Sequence, residues 1–525
     1  MPIRLVVFLD VTSVLDSKGK EKQNMKKIIF ISAVVLSLGF TSCGSYLDIN
    51  ENPNSPSESN IGTGMLMPAI EMNIASSYGN FLRIAGGFHA LQYAQLNGTS
   101  NYIDYSQFSM SATRSSGTYT QFNQKALSNL KTVLSKSSVE NDWGTYLAAT
   151  TLRAFVYETL VDCYGEVPYS EALDPAITAP KYDDGQVVYE GVIAEVDAAL
   201  EKVSNSNMVC TNFLYPSATA GRWIQFANAL KLKMLMRMAD VKDVQSALAA
   251  LIAEDNFPAA DVSYKGCWKN ESGQMSPFFA EEFSPAWGSS QINVAGNLAI
   301  IGTMLVKNAE GGVEYEDPRL AVFFDKNIDG EYVGCISGTN YPSTSKLTKW
   351  CRPVASFDMP VYLITVSEVE FFKAEYHARY GTAADAASHY AAAIEASFAS
   401  AGVDGAAEYV ARYPYEQSNF KKSIGLAKWV ALSGVNPFEA WCELRRLKYP
   451  AFGTAKGSDF YKVGNDDSFD VSSYVPGTLY TPIQVFGQVG DNKLLERYPY
   501  AESSSARNPN TPAFPGYTAP VFWGK

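Results

Sequence analysis

Residues 143–173 read WGTYLAATTLRAFVYETLVDCYGEVPYSEAL. The first twenty place Leu147, Thr151, Leu152, Phe155, Thr159, Leu160 and Cys163 at steps of three and four. That spacing predicts an amphipathic helix with a wide buried face. Gly165 then supplies a stop of the kind found after helix C-termini, and Pro168 keeps the helix from resuming. The helix alone is a core element and carries no function. Glu158 and Asp162 share one of its faces, a spacing more often solvated or salt-bridged than catalytic.

Two further segments carry the helical period. In Arg222 to Asp240 (RWIQFANALKLKMLMRMAD), Trp223, Phe226, Ala227, Leu230, Met234 and Met238 form one stripe, and other faces are apolar too. This predicts a largely buried helix whose methionines fill gaps in a core. Val366 to Val403 splits at Gly381-Thr382 into two helical patterns, a helical hairpin. Ala386-x-x-x-Tyr390 fits the A-x3-F signature of tetratricopeptide repeats. Small residues at Ala374, Ala386 and Ala393 predict close helix approach. His377 and His389 lie on this hairpin with no further ligand residues and read as ordinary surface or core positions. The expected fold is mostly α, with tetratricopeptide-like helical hairpins as scaffold and an irregular, loop-rich ligand face.

The chain also resembles the SusD-like (SusD/RagB) outer-membrane lipoproteins, in segments that follow the family's order. They are Cys43-x-x-Tyr-Leu-Asp-Ile-Asn-Glu-Asn-Pro-Asn54, Gly165 to Leu173, Trp223-x-x-Phe-Ala-Asn-x-Leu-Lys-Leu232, Asp317-Pro-Arg-Leu320, Ser367-Glu-Val-Glu-Phe371, Trp441 to Pro450, Arg497-Tyr-Pro-Tyr500 and Val521-Phe-Trp523. The resemblance implies a cell-surface receptor that captures oligosaccharides. It also implies docking as a lid on a TonB-dependent (SusC-like) transporter, and no enzyme activity. Asp48 and Glu51 match the acidic residues that direct such lipoproteins to the cell surface. Two alternatives stand beside this reading: a peptide-binding member of the same family, and a surface glycoside hydrolase.

The N-terminus agrees with export. Met25-Lys-Lys is followed by Ile28 to Leu38, nearly free of polar residues, and then Gly-Phe-Thr-Ser-Cys43. This is a signal peptide with a lipidation site at Cys43, although Phe40 stands where Leu is usual. The run is shorter than the roughly 20 apolar residues a membrane-spanning helix needs. Residues 1–24 read as an upstream extension. The expected organisation is therefore 1–42 extension and signal peptide, 43–64 lipidated tether rich in Pro, Asn and Ser, and 65–525 a single helical domain. The expected location is the outer face of the outer membrane, held there by the lipid.

Setting aside residues 1–42, with six basic and three acidic residues, leaves 36 Lys+Arg against 51 Asp+Glu, a formal charge of −15. That balance argues against a nucleic-acid partner, which needs concentrated cations. Hydrophobic residues make up 46%, enough for a large core. Aromatics reach 13%, and flat rings are where sugars dock, though most pack inside any fold.

Two loop-forming stretches concentrate those rings. Gln95 to Thr120 is polar, aromatic and nearly uncharged; residues 264–290 mix Trp268, Phe278, Phe279, Phe283 and Trp287 with Pro and Gly. The expected ligand site takes Tyr102, Tyr105, Trp268 and Trp287 as stacking surfaces, with Asn101 and Asp104 as polar partners. For Trp268 and Trp287 the competing reading is core packing.

Catalytic motifs are missing: three His, no H-E-x-x-H, no G-x-S-x-G and no phosphate-cradling glycine loop. Two S-x-x-K matches, at Ser343 and Ser418, lack their companion motifs. Asp325, Asn327 and Asp329, followed by Gly330, match the start of a calcium loop. Ile336 stands where its bidentate Glu belongs, so no cofactor is expected, calcium being the weak exception. The alternative is a hairpin turning at Asp329-Gly330, between Val322-Phe323-Phe324 and Tyr332-Val333. Of the six cysteines besides Cys43, Cys335 and Cys351 are spaced to meet across a turn.

Overall fold

A computed structural model of the chain describes residues 61–96, 101–216, 218–284, 293–338, 349–460 and 470–525. Thr63–Lys525 forms one compact unit. Its scaffold is helical: α1 (Thr63–Ser77), α2 (Arg83–His89), α3 (Ser128–Glu140), α4 (Trp143–Tyr164), α5 (Gly185–Leu200), α6 (Gly221–Met238), α7 (Val366–Tyr380), α8 (Ala383–Ala401), α9 (Phe420–Ala431) and α10 (Pro437–Leu447), with shorter helical turns between them. Among the described residues, strands come as two-stranded ribbons. No helix among the described residues is long and apolar enough to cross a membrane.

The stretch quoted first is the centre of this arrangement. Asp142 caps α4 by accepting from the Thr145 amide at 3.1 Å, and Gly165 ends it at φ +84°. A buried face was expected; instead only Trp143, Tyr146 and Arg153 reach solvent. The helix is surrounded, with α3, α5 and α6 packed against it. Its threonines suit such a site because Thr150, Thr151 and Thr159 each return their hydroxyl to the carbonyl four residues back, at 2.8 Å.

Glu158 and Asp162 are salt-bridged, deep inside. Arg237 on α6 joins Glu158 (2.7 Å), Asp162 and, from α10, Glu439 (2.5 Å); Lys233 reaches Glu158 at 3.0 Å. The chain of charges continues through Lys428 on α9 to Glu443 (2.9 Å), and through Arg446 to Glu443 (2.7 Å) and Glu375 on α7 (2.5 Å). All of these side chains are at most 4% exposed. Such a network adds little net stability over an apolar core, but removing one member strands its partners, at a cost of about 3–5 kcal/mol. It fixes which helix faces which.

The C-terminal landmarks close on the same point. Tyr498 stacks on Trp441 at 4.9 Å, and Trp523 donates its indole N–H to Asp162 at 2.8 Å. Arg497 pairs with Glu166 at 3.1 Å, and Tyr500 donates to Glu166 at 2.6 Å. A Cβ on Gly165 would lie 1.4 Å from the Arg497 guanidinium, so only glycine fits there. The Asp317-Pro-Arg-Leu motif is a buried fork: Arg319 holds Asp317 at 2.6 and 3.0 Å and lies 4.2 Å over the Phe398 ring of α8.

Helices α7 and α8 pack against each other along the hairpin. Thr365 and Glu368 form a reciprocal capping box, Thr382 caps α8, and Gly402 ends it at φ +70°. Ala374, Ala386 and Ala393 are fully buried. His377 and His389 stack ring on ring at 5.1 Å, and His389 contacts Glu370 at 2.6 Å.

Candidate functional site

The site begins at a ribbon whose strands come from opposite ends of a long stretch of chain. β1 (Tyr93–Gln95) pairs antiparallel with β2 (Val294–Gly296). The Cys335 and Cys351 segments join at Gly296, through Cys335 N–H to Gly296 O (2.8 Å) and Gly296 N–H to Cys351 O (2.9 Å). Gly338 donates to the Ser106 hydroxyl at 2.7 Å. Loop-bearing ends from four parts of the sequence are thereby gathered at one place.

Tyr102 lies beside this ribbon, half-buried, with φ +62°. Its ring stacks on Tyr105 at 5.4 Å and 20°. Its hydroxyl donates to the Glu282 carboxylate at 2.6 Å. The other Glu282 oxygen accepts from the Asn293 side-chain amide at 3.3 Å, and the Asn293 side-chain oxygen accepts from Asn101 Nδ2 at 3.3 Å. Burial, then the Glu282 charge, pushes the Tyr102 hydroxyl far above its ordinary pKa, so it stays a donor. Burial likewise raises Glu282 against the two hydrogen bonds it receives.

Tyr105, expected as a stacking surface, is 3% exposed. It is covered by Tyr102, while the Arg114 guanidinium lies 5.4 Å from its ring. Its place is behind Tyr102, supporting that ring rather than offering one. Asp104 is taken by Arg114 through two bonds of 2.7 and 3.2 Å. Trp268 is half-buried against the core, its indole N–H on the Tyr264 carbonyl at 3.0 Å. Among the described residues, no ring contact or hydrogen bond joins Trp268 to Tyr102. Trp287, Cys43 and the first S-x-x-K match lie outside the described residues.

Three participants escape a reading of composition: Glu282, Asn293 and Arg352. Arg352 lies 4.4 Å over the Phe283 ring, and burial lowers its pKa despite Glu282 and Asp325 nearby. Its Nε and Nη2 are buried without a partner among the described residues. The one sequence signal is the carboxylate pair inside the aromatic run Phe278 to Phe283, where an acid needs a reason.

Asp325, Asn327 and Asp329 serve a turn. The Asn327 side-chain oxygen accepts from the Asp329 and Glu331 amides at 3.0 and 2.8 Å, leaving it poorly placed to ligate a cation. Phe324–Asp325 pairs with Arg352–Pro353, not with Tyr332-Val333, because Val322 and Phe323 end a short helix. Among the described residues no group of three or more His, Cys, Asp or Glu converges on a metal position. Cys335 and Cys351 lie on adjoining segments, Cys335 directed to the Gln95 carbonyl and Cys351 accepting from the Val333 amide. Lys421, from the second S-x-x-K, pairs with Asp240 at 2.8 Å.

The arrangement presents one aromatic ring fixed at its hydroxyl by Glu282, with the Asn101 and Asn293 side chains next to that carboxylate. Residues 53–464 match the family model described as "Starch-binding associating with outer membrane". No curated protein matches the chain. Among solved structures, a SusD homologue from Bacteroides uniformis is similar at 20% identity and TM-score 0.64, over 88% of this chain and 99% of its own. A chitin-binding SusD homologue from Flavobacterium johnsoniae is similar at 19% and TM-score 0.66, over 87% and 98%. A SusD homologue from Bacteroides thetaiotaomicron is similar at 19% and TM-score 0.65, over 89% and 99%. At these identities the likeness speaks for the fold.

Proposed function

This chain belongs to the SusD-like family, and from that premise we propose that it is a cell-surface lipoprotein that binds oligosaccharides and passes them to a TonB-dependent outer-membrane transporter. The observation that carries the binding part is the Tyr102 ring, held in one orientation by Tyr105 beneath it and Glu282 at its hydroxyl. A sugar ring laid on Tyr102 meets the exposed Asn101 as its polar neighbour. Preorganised aromatic surfaces of this kind bury large area at low entropic cost. Lipidation of Cys43 holds the domain at the membrane, and residues 43–64 act as the tether.

A glycosidase needs two carboxylates about 5–9 Å apart across a sugar, each available to act on the scissile bond. Glu281 and Glu282 are adjacent in sequence, and Glu282 is engaged by two neutral donors. Incubation with a panel of soluble oligosaccharides, followed by calorimetry and product chromatography, tests the reading. Binding with every glycan recovered intact is the expected result; cleavage products would make the protein an enzyme.

A further inference from the structure

Arg83 opens α2 and is 5% exposed. Its Nη1 and Nη2 donate to the Val435 and Gly434 carbonyls at 2.9 and 2.6 Å. Those acceptors are backbone dipoles, and Arg83 forms no ion pair among the described residues. Its Nε is buried without a partner. Ser276 is 1% exposed, and its hydroxyl is also unpartnered. Both side chains line one cavity with Tyr78, Phe278, Val361 and Asn436, which leaves about 10 Å³ for the centre of a water-sized sphere. The Arg83 guanidinium lies 4.9 Å over the Phe278 ring. Tyr93, stacked on Phe278 at 5.9 Å, adds a buried hydroxyl beside the Arg83 guanidinium.

We propose that this cavity binds one small monatomic anion of the chloride class, held by Arg83 Nε and the Ser276 hydroxyl. A guanidinium keeps its charge at any working pH and has only donors to offer. A buried charge is costly unless it is paired, and so is each buried donor left without an acceptor. An anion answers both needs, whereas a water molecule answers only the second. The space, about that of one water molecule, suits a monatomic ion better than a polyatomic oxyanion. The anion ties α2 and the 434–437 turn to the segment Ser276–Phe278. That segment leads into the short helix Pro277–Glu282, which carries Glu282 to Tyr102. The site is independent of whether the ligand of Tyr102 is a glycan.

The test uses the full chain crystallised with sodium bromide replacing chloride, together with melting curves in sodium chloride and in sodium gluconate at equal ionic strength. An anomalous bromide peak within hydrogen-bond reach of Arg83 Nε and Ser276 Oγ is expected. The melting temperature of the wild type should respond more to chloride than that of Ser276→Ala, a variant that keeps the scaffold charges intact. No peak at this position overturns the proposal. So does a peak with identical chloride responses in the two proteins, which marks an adventitious ion only.

Discussion

Glu71 on α1 shows how a single side chain sets a property of the whole chain. Its carboxylate accepts from the backbone amides of Phe213 and Leu214, yet burial pushes its pKa up to about 8. Between its ordinary value of 4.5 and about 8, the folded state therefore holds a proton that the unfolded state releases. The folded state binds more protons in this window, so stability falls as pH rises through it, by about 1.4 kcal/mol for each pH unit separating the two values. Glu71→Gln should be less stable than the wild type near pH 5, where one amide loses its acceptor. That deficit should shrink toward pH 8. Melting curves across this range check it, and parallel profiles would show that Glu71 does not titrate there. None of this was legible in the sequence, where Glu71 is one acid in a helical run. Gly165 was legible, because a glycine ahead of a proline turn marks a helix end. Its second role, leaving room for Arg497, depends on a contact from the far end of the chain.

At the scale of elements, periodicity carried furthest where helices are long. The hairpin break at Gly381-Thr382 and the apolar stripe of α6 both follow from spacing alone. Three-residue strands have no period to read, and β1 meets β2 some 200 residues away, so the ribbon that positions Tyr102 was invisible. Composition pointed to Tyr102, but it could not separate that ring from Tyr105, three residues on and buried beneath it. The hairpin itself can be tested. Ala386 is fully buried where α8 meets α7, and a larger side chain there should cost about 1–3 kcal/mol. Glu395 is exposed, and Glu395→Gln should stay within about 0.5 kcal/mol. Denaturant unfolding of Ala386→Leu and Glu395→Gln checks the contrast, and equal small effects would count against the tight pairing of α7 and α8.

At the scale of the molecule, a chain of net charge −12 keeps its most concentrated cations inside, where Lys233, Arg237, Lys428 and Arg446 neutralise acids from α4, α7 and α10. The Glu158–Asp162 spacing hinted at such pairing. The partners were beyond sequence reading because they come from a separate helix, Arg237 lying 79 residues from Glu158. The anchoring of the whole domain is a separate matter: Cys43→Ala should move the protein from the membrane fraction to the soluble one. Retention with continued palmitate labelling would contradict lipidation at that residue. The central claim is that Tyr102 is the floor of an oligosaccharide site, and calorimetric titration of wild type and Tyr102→Ala tests it most directly. The probe is the soluble glycan that the wild type binds most tightly in the panel. The account predicts a loss of at least about 1 kcal/mol of affinity, roughly fivefold, in a variant that still folds. Affinity equal in the two proteins, or no glycan bound by the wild type at millimolar concentration, would contradict it.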